Sequence, residues 1–130
     1  MSATAAAEEV RFPIRFDRTY AALSRALFLA PSASHVSIAA GEVRVRMAWA
    51  FRAAFPKSAV RSVTPGGRRP LSRGVHGFGG RWLVNGSGDG IVVLELAPEQ
   101  RARVLGFPVR LRQLAVSVEE PEALAEALGR

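Results

Sequence analysis

The sequence predicts a mainly β, β-rich α+β domain that closes with a short helix. Three observations carry this. Residues 35–51, HVSIAAGEVRVRMAWAF, alternate apolar and polar or small residues around a Gly-Glu turn, the pattern of a hairpin with one buried face. Three later stretches, RWLVN, IVVLEL and FPVRLRQLAVSV, are rich in the branched and aromatic residues of strands. The final EEPEALAEALGR has acidic residues and a proline at its start, leucines four apart, and a glycine to end it.

The elements follow in order. Residues 1–9 are small and acidic and read as a tail, which leaves 10–130 as one domain. In VRFPIRF, Val10, Phe12, Ile14 and Phe16 share a phase, and Pro13 confines the strand to a sheet edge. The next segment, DRTYAALSRALFLAP, places Tyr20, Leu23 and Leu27 on one helical face, with Asp17 or Thr19 as cap and Pro31 beyond the end. In the hairpin, Val43, Val45, Met47, Trp49 and Phe51 are expected in the core, on one strand that runs unbroken through 43–51. Phe55-Pro56 ends that run, and AVRSV makes another short strand.

Residues 64–80, TPGGRRPLSRGVHGFGG, hold six glycines and two prolines and read as a long loop with little regular structure. IVVLEL is apolar on both faces and is expected to be central. APEQRARVLG reads as a loop or a single helical turn. In the last strand Val109 and Leu111 lie in one phase, and Leu114, Val116 and Val118 in the other. An unpaired residue near Gln113, a β-bulge, reconciles the two.

The glycines at 86, 88 and 90 invite a phosphate-binding reading. A dinucleotide fingerprint needs G-x-G-x-x-G between a strand and a helix. Counted from Gly86, its last position falls on Ile91, and a strand follows. The stretch is therefore a strand-connecting loop, and Asn85-Gly86 is a favoured hairpin-turn pair.

Other chemistry is sparse. There are no cysteines, two histidines, and only Asp17 and Asp89 as aspartates. No HExxH, G-x-S-x-G or Gly-Lys-Ser/Thr motif occurs, so neither a metal, a cofactor nor a catalytic centre is expected. His35 is expected on the solvent face of its strand. The start of the sequence lacks a positive region before an apolar run, and its longest apolar stretch is shorter than the ~20 residues of a membrane helix. A cytoplasmic protein is expected.

Charge is the less ordinary feature. The net charge is +7, and every basic residue but Lys57 is arginine. Residues 43–112 hold twelve arginines and Lys57 against Asp89, Glu95 and Glu99. A solvated, arginine-biased surface is the plain explanation. The alternative is an anion-binding surface, formed either by Arg68, Arg69, Arg73 and His76 in the glycine-rich segment or by Arg44 and Arg46 on the hairpin. A nucleic-acid surface would also need exposed aromatics. Trp49, Phe51 and Trp82 sit in strand patterns where burial is expected, leaving Phe78 alone in the glycine-rich segment.

Beyond these readings, residues 35–129 resemble the bacterial pleckstrin-homology-like domains. The resemblance rests on the arginine- and aromatic-bearing hairpin, on a P-x-S-x-[IV]-x-x-V step at Pro56, Ser58, Val60 and Val63, and on Ser117, Val118 and Pro121 leading into the closing helix. It implies a barrel of two packed antiparallel sheets capped by that helix, here with an extra N-terminal strand and helix. The functional expectation is a non-catalytic binding or scaffold module for a protein or anionic ligand. Candidate anionic partners include a membrane surface or RNA. The other expectation is a small-molecule binder or enzyme built around residues 64–80.

Overall fold

A computed structural model describes residues 9–20, 22, 33–66 and 74–129. Its strands are β1 (Val10–Pro13), β2 (Ser34–Ala39), β3 (Glu42–Met47), β4 (Phe51–Pro56), β5 (Val60–Pro65), β6 (Gly74–Phe78), β7 (Arg81–Asn85), β8 (Ile91–Val104) and β9 (Phe107–Ser117), and the chain closes with helix α1 (Pro121–Leu128). The protein is thus β-rich with a C-terminal helix. The strands form one sheet in the order β1-β2-β3-β4-β8-β9-β7-β6, with β5 pairing β8 off that path. The pairings between these strands are antiparallel except β7 with β9. β1 is an edge strand, as Pro13 requires.

The β8–β9 hairpin organises the fold. Its ladder passes from Glu95↔Gln113 to Gln100↔Leu111, so residues 96–99 stand opposite Arg112 alone. This is the phase slip that Leu111 and Leu114 betray, and both leucines are fully buried. The extra residues lie on β8 rather than on β9 near Gln113. They accommodate Pro98, which has no N–H to give a ladder. On one side of the slip, β8 and β9 pair with β5 and β7; on the other, β8 pairs with β4. Such an irregularity bends a strand and increases its twist. One core cluster draws on both halves, from Phe12, Val45 and Phe55 to Leu94, Leu114 and Val116.

The sheet is not a closed barrel. At one end its gap is bridged by backbone, where Ile14 pairs with Val118 and Phe16 with Gly86. There the Arg15 N–H donates to the Ser117 carbonyl at 2.9 Å and the Asp17 N–H to the Gly86 carbonyl at 2.7 Å. The N-terminal segment therefore seals one end of the core with Ile14, 2% exposed. Residues 18–20 are helical, but most of the helix expected after Asp17 lies outside the described residues.

α1 starts with Pro121 in its first turn and ends on Gly129 at φ 67°, whose N–H donates to the Glu126 carbonyl at 3.0 Å. Leu124 and Leu128 enter the main core. The helix packs on β5 and β8.

Four expectations need correction. First, the strand through 43–51 is two strands. The chain reverses at residues 48–50, the Ala50 N–H donates to the Met47 carbonyl at 2.9 Å, and Met47 pairs with Phe51. Trp49 sits at the tip and is 54% exposed. The alanines on either side fill the space under the turn: Ala48 and Ala50 are buried against Ala33 and Val75. Second, residues 64–80 are not one loop. β5 runs to Pro65, and β6 forms a hairpin with β7 through Gly79 and Gly80. The Trp82 ring occupies the space that a side chain at Gly77 would need. Third, APEQRARV belongs to β8, because β9 and β4 supply partners on both sides of residues 102–104. Fourth, Asn85-Gly86 is not a hairpin turn, since β7 and β8 are separated by β9.

Candidate anion-binding face

Gly86 and Gly90 serve packing. A Cβ at Gly86 would meet the Phe16 ring, and one at Gly90, where φ is 71°, would meet the Val118 carbonyl. The Gly86 N–H donates to Ser117 Oγ at 3.0 Å, and that hydroxyl donates to the Arg15 carbonyl at 2.9 Å. This tight crossing ties the N-terminal segment to the ends of β7 and β9 and leaves no open cradle of amides at those positions.

Six of the twelve described arginines gather elsewhere. On β1 to β4 and the far half of β8, inward residues such as Phe12, Val36, Val45, Ala53 and Ala102 are buried, so their neighbours face outward. Strand register then aligns the outward residues. Arg11, Ser37, Arg44 and Ala54 form one cross-strand row. His35, Arg46, Arg52 and Arg103 form the next, followed by Pro108. The two rows and Arg101 line an open groove of about 590 Å³, with Glu9 at its margin.

The rows differ electrically. In the first, each arginine is matched with its own acid: Arg11 Nε lies 3.0 Å from Glu9 Oε1, and Arg44 Nε lies 2.7 Å from Glu42 Oε1. The Arg11 hydrogen bond holds the Glu9 carboxyl below its usual range, and the Glu42 carboxylate holds Arg44 firmly charged. In the second row, Arg46, Arg52 and Arg103 follow one another on adjacent strands, with Cα atoms ~5 Å apart, and like charges so placed repel. Arg46 Nε donates to the Ala48 carbonyl at 3.2 Å and Arg103 Nη1 to the Gly106 carbonyl at 2.9 Å, so both lean on hairpin turns rather than on acids. His35 is pushed below its ordinary pKa by burial first, then by Arg11 and Arg46, against the opposing effect of Glu9.

The turns themselves are unusual. Leu105 and Gly106 join β8 to β9 with φ values of 53° and 85°. That two-residue turn favours Asn-Gly, and a leucine in the left-handed region costs about 1–2 kcal/mol. Leu105 is nonetheless 54% exposed, so burial of its side chain does not account for its place there.

Of the residues singled out in the sequence, Arg44 and Arg46 share the groove. His76 lies on β6, opposite Leu83 in the other half of the sheet, and does not join them. Arg68, Arg69 and Arg73 lie outside the described residues. Sequence reasoning missed Arg11, His35, Arg52, Arg101 and Arg103. The R-x-R spacing shared by Arg44/Arg46 and Arg101/Arg103 was the available signal. Among the described residues no cluster of three metal-capable side chains occurs, and no helix is long and apolar enough to cross a membrane. Comparison of the chain with protein-family models, curated proteins and solved structures found no match.

Proposed function

We propose that this protein is a non-catalytic binding module whose outer face, on β1 to β4 and the far half of β8, takes anionic groups. One observation carries the reading: Arg46, Arg52 and Arg103 stand in register on three adjacent strands, with no acid between them in the row. Such a row is unfavourable in the empty protein, by roughly 0.2–1 kcal/mol for each like-charged pair. An anion spanning two guanidinium groups removes that repulsion and adds charge-assisted hydrogen bonds. A rigid sheet presents the groups without a large ordering cost on binding. The sequence supports a non-catalytic role through its lack of cysteine and of any nucleophile or metal-binding motif. The pleckstrin-homology-like resemblance of residues 35–129 agrees with a scaffold role, and we carry it as part of this proposal.

The test is titration with inorganic polyphosphate at low salt. Binding should weaken steeply as salt rises, because exposed charges are screened beyond ~8 Å at physiological ionic strength. Reversal of Arg52 and Arg103 to glutamate should abolish it. Equal binding by that variant and the wild type would remove the face from consideration.

A further inference from the structure

We propose that anion binding on this face is coupled to a proton: His35 is the fourth member of the arginine row and takes up a proton as an anion seats, so that affinity rises as the pH falls. The inference rests on the anion-binding reading above and adds its regulation. Register places His35 beside Arg46, followed by Arg52 and Arg103, on four adjacent strands, and all four side chains line the groove. Paired residues on adjacent strands have Cα atoms about 5 Å apart, and like charges directly opposite repel. A proton on His35 in the empty groove would extend a run of positive charges that is already unfavourable.

The surroundings of His35 fix the sign. On β1 it faces Pro13, with Arg11 one outward position further along and Glu9 bonded to that arginine. On β3 it faces Arg46, with Arg44 and its partner Glu42 one outward position further. On its own strand the next outward residue is Ser37. Partial burial first, then Arg11, holds the imidazole below its ordinary value of 6.5; Arg46 adds to this and Glu9 opposes it. An anion lying across His35 and Arg46 brings a negative charge and an acceptor for an imidazole N–H, both of which favour the charged ring. Linkage then makes the anion bind more tightly where His35 is protonated. The gain is fully present below the free protein's value and is lost as the pH rises through the higher value of the complex.

No other described group lining the groove changes charge in that window. The remaining ionisable residues there are arginines, which do not deprotonate in proteins, and Glu9, whose carboxyl the Arg11 hydrogen bond holds below its usual range. Acid should therefore weaken the empty fold through His35 while strengthening its hold on an anion. A histidine with a purely structural role would give the first effect without the second.

The experiment is calorimetric titration of the full chain with a short dextran sulfate at low salt, because sulfate esters keep their charge across the range in which histidine titrates. Wild-type affinity should rise about three- to tenfold between about pH 7.5 and about pH 5.5, since each unit separating the free and bound values is worth about tenfold. Titration in two buffers of different ionisation enthalpy should show net proton uptake. His35→Gln should bind with little dependence on pH and take up no proton. In the wild type itself, the His35 ring nitrogen-15 resonances should move to the imidazolium pattern when the sulfate is added at constant pH. Affinity that does not change with pH, a pH dependence that persists unaltered in His35→Gln, or a His35 ring that stays neutral in the complex overturns the coupling and leaves the anion-binding reading standing. Absence of binding at either pH overturns both.

Discussion

Phe51 and Trp49 are both aromatic, stand two residues apart and share a phase in the sequence, yet the fold uses them in opposite ways. Phe51 is fully buried beside Met47, while Trp49 is 54% exposed at the turn. Phe51→Ala removes a ring from the centre of the core and leaves a cavity, and should cost about 3–5 kcal/mol. Trp49→Ala loses only the partly buried side of its ring and opens no enclosed cavity, so about 1–2 kcal/mol is expected. At about 3–5 °C per kcal/mol for a domain of this size, the two melting temperatures should differ by several degrees. Urea unfolding followed by far-ultraviolet circular dichroism is the suitable assay, because it does not depend on tryptophan fluorescence. Equal losses, or a larger loss at Trp49, would mean that the strand runs on through residue 49 and that the turn is misplaced.

Other consequences can be checked the same way. Leu124→Ala should destabilise by about 2–5 kcal/mol, since the residue is fully buried between α1 and the sheet; a change within half of one would detach the helix from the core. Gly90→Ala should cost at least about 2 kcal/mol, because a side chain there combines a left-handed backbone with a collision against the Val118 carbonyl; a neutral outcome would reopen the glycine loop as a free cradle. His35 is held below its ordinary value of 6.5, so the unfolded chain binds its proton more readily. Its contribution should be fully present above about pH 6.5 and shrink as the pH falls toward the lower folded value. A His35→Gln variant should flatten the pH dependence of stability in that window, and an unchanged slope would show that other groups control it.

The β2–β3 hairpin was legible because strict alternation forces one face inward, and α1 because a proline and a glycine mark its ends. The slip between Leu111 and Leu114 was legible as a change of phase, although phase alone does not say which strand carries the extra residues. The turn at residues 48–50 was hidden because Met47, Trp49 and Phe51 keep period two straight through it. β6 was hidden by its glycines, which look like loop until Trp82 fills the space beside Gly77. The charged end of β8 became strand through its partners, not its own propensity. Arg44 and Arg46 could be singled out from one strand. Arg52 and Arg103 could not, because their adjacency depends on β4 pairing with a strand some fifty residues later in the chain.

The central claim is that Arg46, Arg52 and Arg103 act together as the anion site. Nitrogen-15 spectra of the arginine Nε–H groups during titration with inorganic polyphosphate test it most directly. These three resonances should move together, saturate at one concentration and return as salt is added. Movement confined to Arg68, Arg69 and Arg73, with the row on β3, β4 and β8 unmoved, would contradict it.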